Sequence, residues 1–367
     1  MRDKVRRVGQ RFLVGFDGLA ASADVKRMIR EYAVGHVILF NRNVDRPEQV
    51  ADLVRELQAV ARDAGHTVPL LIAVDQEGGR VARLREPWTV WPPMRAVGRT
   101  GSEDIARKVG SALAAELSAC GIRCDFAPDM DVDTNPRNPV IGDRSFGEDP
   151  GLVGRLGAAM IRGLQEGGVA ACAKHFPGHG DTEVDSHLDL PAVDHPRQRL
   201  EEVELPPFRK AIEAGVASIM TAHVLVRALD EELPATLSPR VVEGLLRKEM
   251  KYDGMIVSDD LEMKAVADRW GVGQAAVKAA QAGCDLLPAC SSADAQVEAM
   301  ESVIRAVEDE TLSRASMDDA CARIRRVKEK YLLPYRDPDP RAARAAAGAG
   351  ERVALSRDIM ERAGMTA

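Results

Sequence analysis

Eight short apolar runs, each followed by a longer stretch of helical periodicity, constrain the fold of this chain more than any other feature. The runs are FLVGF (12 to 16), HVILF (36 to 40), LLIAVDQE (70 to 77), CDFAPDMD (124 to 131), ACAKHF (171 to 176), ASIMTAH (217 to 223), GMIVSDD (254 to 260) and CDLLPAC (284 to 290). They are near-continuous in Val, Ile, Leu and Ala rather than alternating with polar residues, which predicts parallel strands buried on both faces. The stretches between them carry helix start signals. Pro47 opens one that ends at Gly65, and Ser102 opens another with acidic residues in its first turn. Eight such units predict an α/β fold closed as a (β/α)8 TIM-type barrel. An open doubly wound sheet would gather its polar groups at one switch point, whereas here they end many strands. Pro128 removes a ladder donor, so the fourth strand is expected to be irregular. The barrel is expected to occupy residues 1 to 333. PYRDPDPRAARAAAGAG then leads into a C-terminal tail, 334 to 367, with a short helix.

Composition removes several functional classes. A formal charge of -7, with no basic cluster interleaved with aromatics, argues against a nucleic-acid partner. The N-terminal MRDKVRRVGQRFLVGF has an apolar run too short for a signal sequence or a membrane span, so a cytoplasmic location is expected. The six cysteines show no disulfide framework, and Cys120 and Cys124 have no second pair to complete a zinc site. They read as small buried hydrophobes.

In a barrel of this kind the reactive groups sit where strands end. The third strand ends in Asp75-Gln76-Glu77-Gly78-Gly79-Arg80, with Arg83 beyond; the fifth ends in Lys174-His175, the sixth in His223 and the seventh in Ser258-Asp259-Asp260. The fifth runs on into FPGHGDTEVDSHLDLP, a loop rich in glycine, proline, histidine and acid. Within it Asp185 and His187 are spaced so that the carboxylate can bond one imidazole nitrogen and leave the other to move a proton. Asp259 is a candidate nucleophile for an anomeric carbon, and its neighbour Asp260 is the alternative: strand alternation sends the two side chains in opposite directions, so only one can point at a substrate. Asp75 and Arg83 suit recognition of sugar hydroxyls, and Lys174 and Arg144 could act likewise. His179 is open between a turn role and a functional one. The tryptophans Trp88, Trp91 and Trp270 are open between stacking on a sugar and simple packing.

KHFPGHGDTEVDSH (174 to 187), NPRNPVIGDRSFGEDP (135 to 150), DQEGGRVARL (75 to 84) and DGMIVSDDLEMKA (253 to 265) together resemble the signatures of the bacterial β-N-acetylhexosaminidases of glycoside hydrolase family 3, in the same order. The resemblance covers about residues 9 to 333. It implies Asp259 as nucleophile, His187 as acid/base, Asp185 as its orienting partner, and Asp75, Arg83, Arg144, Lys174 and His175 as sugar-binding groups. It further implies retaining exo-hydrolysis of terminal β-linked N-acetylglucosamine, from muropeptide fragments in cell-wall recycling, by a monomer that needs neither cofactor nor metal and acts on small carbohydrates. The competing readings are a metal-dependent barrel hydrolase using His175, His179 and His187, a glycoside phosphorylase, and a non-catalytic sugar-binding protein.

Overall fold

The computed structural model describes residues 2 to 365 except 184, 187 and 188. All eight apolar runs contain strands: β1 (Phe12–Val14), β2 (His36–Leu39), β3 (Leu71–Val74), β4 (Cys124–Asp125), β5 (Ala170–Phe176), β6 (Ser218–Thr221), β7 (Met255–Val257) and β8 (Leu287–Ala289). They pair in parallel in the order β8-β1-β2-β3-β4-β5-β6-β7. A parallel bridge between Val257 and Leu286, with Ser258 N donating to Leu286 O at 3.0 Å, links the two ends and closes the barrel. Strand β4 has only two residues, as a chain heading into Pro128 requires.

Every residue of the eight strands is buried. Their side chains divide by alternation between two apolar layers. Leu13, Ile38, Leu71, Ala73, Cys124 and Cys172 fill the barrel, while Phe12, Val14, Val37, Leu39, Ile72 and Val74 face the helices outside. Ile324, Val327 and Tyr331, from the helix Arg314–Leu332, join the inner layer and close the bottom of the barrel. The outer helices begin where the sequence signals them. Pro47 is the first residue of Pro47–Asp63, and the Ser102 side chain accepts from Ile105 N at the head of Glu103–Ala119. Residues after 334 form two helices, Pro340–Ala346 and Gly350–Arg362, packed on the barrel's flank through Ala343 and Ile359.

Five of the cysteines are buried and all six are free thiols. One pairing lies outside the eight runs: Ala192–Val193 lies parallel to Leu225–Val226, joining the loop after β5 to the loop after β6. No described helix is long and apolar enough to cross a membrane.

Candidate active site

The strand ends meet at the barrel's C-terminal mouth around a cavity of about 340 Å³. Asp75, Arg83, Arg144, Lys174, His175 and Asp259 all line it, joined by Glu77, His179, Ser186 and Asp260. Its floor and walls include Leu13, Ile38, Phe126, Met220 and Pro288. The result is an apolar cup with a charged rim, the form expected of a small-ligand site.

Local structure explains how β3 delivers three groups to this mouth. Gly78 and Gly79, at φ +104° and +55°, turn the chain back sharply. Gln76 then grips the returning strand. Its Oε1 accepts from Arg83 N (2.8 Å) and Leu84 N (2.9 Å), and its Nε2 donates to Leu84 O (2.8 Å). Arg83 is thereby brought back to Asp75, its Nη2 lying 3.3 Å from Oδ2.

Glu77 is the hub of the charged rim, a role that inspection of the strand end alone did not assign. The Arg144 guanidinium meets it with two parallel bonds of 2.8 Å, and Lys174 Nζ lies 2.6 Å from Oε1. Lys174 also reaches Asp75 Oδ1 at 2.9 Å. Burial alone would raise the Glu77 carboxyl, but Arg144 and Lys174 outweigh it and hold the group below the usual carboxylate range. Burial opposes the Lys174 charge, yet Asp75 and Glu77 keep its ammonium more firmly protonated than usual.

His175 is fixed from both sides. Asp131 Oδ2 lies 2.8 Å from Nδ1, and Arg144 Nη2 lies 3.3 Å from Nε2. A guanidinium can only donate, so Nε2 accepts, Nδ1 carries the proton, and the ring is neutral. Burial and the Arg144 charge push its pKa down to about 4, in agreement. Asp131 also accepts from His179 N at 2.7 Å. Burial, partly offset by that bond, raises Asp131 to about 6. Neighbouring Asp129 is raised too, by burial and by Asp131.

Asp129, Asp131 and His175 are the described group that could hold a metal ion. Arg144 already brings positive charge to within 3.5 Å of Asp129, and Asp131 already uses the His175 Nδ1 proton. The donor set therefore fits a guanidinium better than a metal.

On the far side of the mouth, Asp259 Oδ1 accepts from Asp260 N at 2.8 Å. The Asp260 carboxylate turns to Glu262 N (3.1 Å), and burial raises its pKa to about 7. His223, buried behind this turn, joins Thr236 Oγ1 (3.0 Å) to Asp260 O (2.9 Å) and so braces the segment that carries Asp259.

Of the tripeptide Asp185-Ser186-His187, Ser186 lines the cavity and the Asp185 carbonyl accepts from Asp189 N at 3.1 Å. His187 lies outside the described residues. Trp88 and Trp91 are buried in the outer apolar layer and Trp270 packs against it, which settles their role as packing. Phe40 lines the mouth, with the Arg42 and Arg83 guanidinium carbons 4.5 and 5.6 Å from its ring centre.

Residues 2 to 327 match the glycosyl hydrolase family 3 N-terminal domain. The chain belongs to glycosyl hydrolase family 3, among its β-hexosaminidases. It is 39% identical over 329 residues to Beta-hexosaminidase A of Pseudoalteromonas piscicida, covering 84% of this chain and 55% of that protein. The glycoside hydrolase family 3 β-N-acetylglucosaminidase of Paenibacillus sp. strain FPU-7 superimposes with a TM-score of 0.91 at 43% identity, over 98% of this chain and 68% of that one. NagZ from Neisseria gonorrhoeae, solved in complex with N-trifluoroacetyl-D-glucosamine, gives 0.78 at 32% identity, over 96% of this chain and 98% of that one.

Proposed function

We propose that the protein is a retaining exo-β-N-acetylglucosaminidase that works by double displacement through a covalent glycosyl-aspartate. The observation that carries this reading is the single cavity that gathers Asp259 with Asp75, Arg83, Arg144, Lys174 and His175. In the first step an Asp259 oxygen bonds to C1 of the sugar as the C1–leaving-oxygen bond breaks, and protonated His187 gives its proton to that oxygen. In the second, neutral His187 takes a proton from water, which attacks C1 and frees Asp259. Two inversions restore the original β configuration. Asp185 orients the imidazole.

The assignment of proton transfer to His187 is supported by the state of the described histidines that line the cavity. His175 and His179 are both neutral and have both ring nitrogens engaged, so neither suits a proton shuttle. Rim groups Asp75, Lys174 and Arg83 suit the ring hydroxyls, and the apolar floor suits the acetamido methyl. A cup closed at its floor admits one terminal sugar, which favours exo-action.

A chromogenic β-N-acetylglucosaminide followed by proton NMR tests the proposal. The β anomer should appear first; a first-formed α anomer, or no turnover while N-acetylglucosamine still binds, would refute it. The proposal extends to muropeptide fragments as substrates of a monomer acting in the cytoplasm, a reading supported by the family resemblance of the motifs at 75 to 84, 135 to 150, 174 to 187 and 253 to 265. Rates on a disaccharide-anhydro-muropeptide should exceed those on chitobiose, and the reverse preference would count against that role.

A further inference from the structure

The loop after β5 is tied down by a histidine that takes no part in the chemistry above. His179 is 1% exposed and Ser186 2%. The His179 Nδ1 lies 2.7 Å from Thr182 Oγ1, and its Nε2 lies 3.1 Å from Ser186 Oγ. A neutral imidazole has one N–H to give and one lone pair to accept with. Either tautomer therefore completes both bonds, one ring nitrogen donating and the other accepting. The Thr182 hydroxyl also lies 3.1 Å from His179 O. Burial, with His175 adding to it, pushes the His179 pKa down to about 3, which keeps the ring neutral.

Both ends of this strut are anchored. On the barrel side, His179 N donates to Asp131 Oδ1, the carboxylate that also holds His175, and Asn138 Nδ2 donates to His179 O at 2.7 Å. Gly180 then lies so close to Val132 that a Cβ there would come within 1.9 Å of its carbonyl oxygen. On the other side, Ser186 O accepts from Ala265 N at 3.3 Å, at the start of the helix that follows the Asp259 loop. Ser186 thus connects the two halves of the mouth, and it stands between Asp185 and His187 in the chain.

We propose that His179 and Ser186 are positioning residues: their hydrogen bond holds Asp185 and Ser186, the two residues that lead into His187, against the Asp259 loop, and proton donation to the leaving oxygen depends on it. The inference rests on the reading of His187 as acid/base, and the two can be tested apart.

The experiment compares kcat/KM of the full chain on a phenyl and a 2,4-dinitrophenyl β-N-acetylglucosaminide. Phenol needs a proton to leave; dinitrophenol does not. Ser186→Ala should lose roughly 10- to 100-fold on the phenyl substrate, part of what general acid catalysis contributes, and be nearly unchanged on the dinitrophenyl one, with wild-type Tm. His179→Gln should behave alike. The double variant should be no worse than the poorer single one, because both changes break one bond.

His187→Ala is the control and should show the same dependence on leaving group, only larger. If it loses equally on both substrates, the acid/base reading fails and the inference with it. If it shows the dependence while Ser186→Ala does not, the positioning inference alone is overturned. An equal loss on both substrates with a lowered Tm in Ser186→Ala would likewise overturn it, by showing that Ser186 only packs.

Discussion

Two buried ionic networks lie at opposite ends of the same barrel, and they serve different ends. At the bottom, the Asp285 carboxylate meets Arg247, Arg323 (3.1 Å) and Ile256 N (2.8 Å), while Arg11 donates to the carbonyls of Cys284 (2.6 Å) and Asp285 (3.1 Å). Arginines outnumber carboxylates there. They join the helical segment before β7, the start of β1 and the helix Arg314–Leu332 to the residue just ahead of β8. At the mouth, Glu77 plays the same central part with Arg144 and Lys174, but Asp75, Asp129 and Asp131 bring carboxylates into excess, and the hub faces a cavity. Buried ion pairs alone therefore do not mark a site. The bottom network stands before the strands and the mouth network after them, at the end where β/α barrels carry their active sites.

The largest effect that separates the two ends is expected at Asp259. Asp259→Asn should lower kcat on the order of 10⁴-fold, as removal of a nucleophile does, with no fall in Tm; a loss below tenfold would remove it from the chemistry. The next comparison sets hub against hub. Glu77→Gln and Asp285→Asn each leave buried cations without their partner, and each should cost roughly 3–5 kcal/mol of stability by chemical denaturation. Only Glu77→Gln should also impair turnover per folded molecule. Equal activity losses in both would erase the distinction between the ends.

A smaller effect concerns Lys328, buried at the bottom, whose Nζ donates to Gln10 Oε1 (3.0 Å) and Gly35 O (3.2 Å). Burial alone pushes its pKa down to about 7. An unfolded lysine titrates near ~10.4, so between these values the unfolded chain holds more protons than the folded one, and stability rises with pH by at most about 1.4 kcal/mol per unit. Lys328→Met should lack that rise. Parallel stability profiles for the two proteins from about pH 7 to about pH 10 would show that the ammonium stays charged in the fold.

The barrel was legible because its strands are buried on both faces, and double burial leaves uninterrupted apolar runs. The polar residues ending those runs pointed to the mouth, where Asp75, Arg83, Arg144, Lys174, His175 and Asp259 all line one cavity. Glu77, Asp131 and His179 were not assigned their roles. Glu77 lies in the strand-end motif DQEGGR, but its role depends on Arg144, 67 residues away. Asp131 ends the irregular fourth run, where alternation past Pro128 does not say which carboxylate turns inward. His179 gains its meaning from Thr182 and Ser186, which reach its ring only once the loop folds back on itself. The pairing of Ala192–Val193 with Leu225–Val226 is too short to leave a pattern.

Trapping tests the proposed covalent role of Asp259 most directly. The protein would be incubated with an activated 2-deoxy-2-fluoro glycoside, digested, and its peptides mapped by mass. One glycosyl label is expected, on Asp259. A label on another carboxylate, or turnover to product with no accumulating adduct, would contradict it.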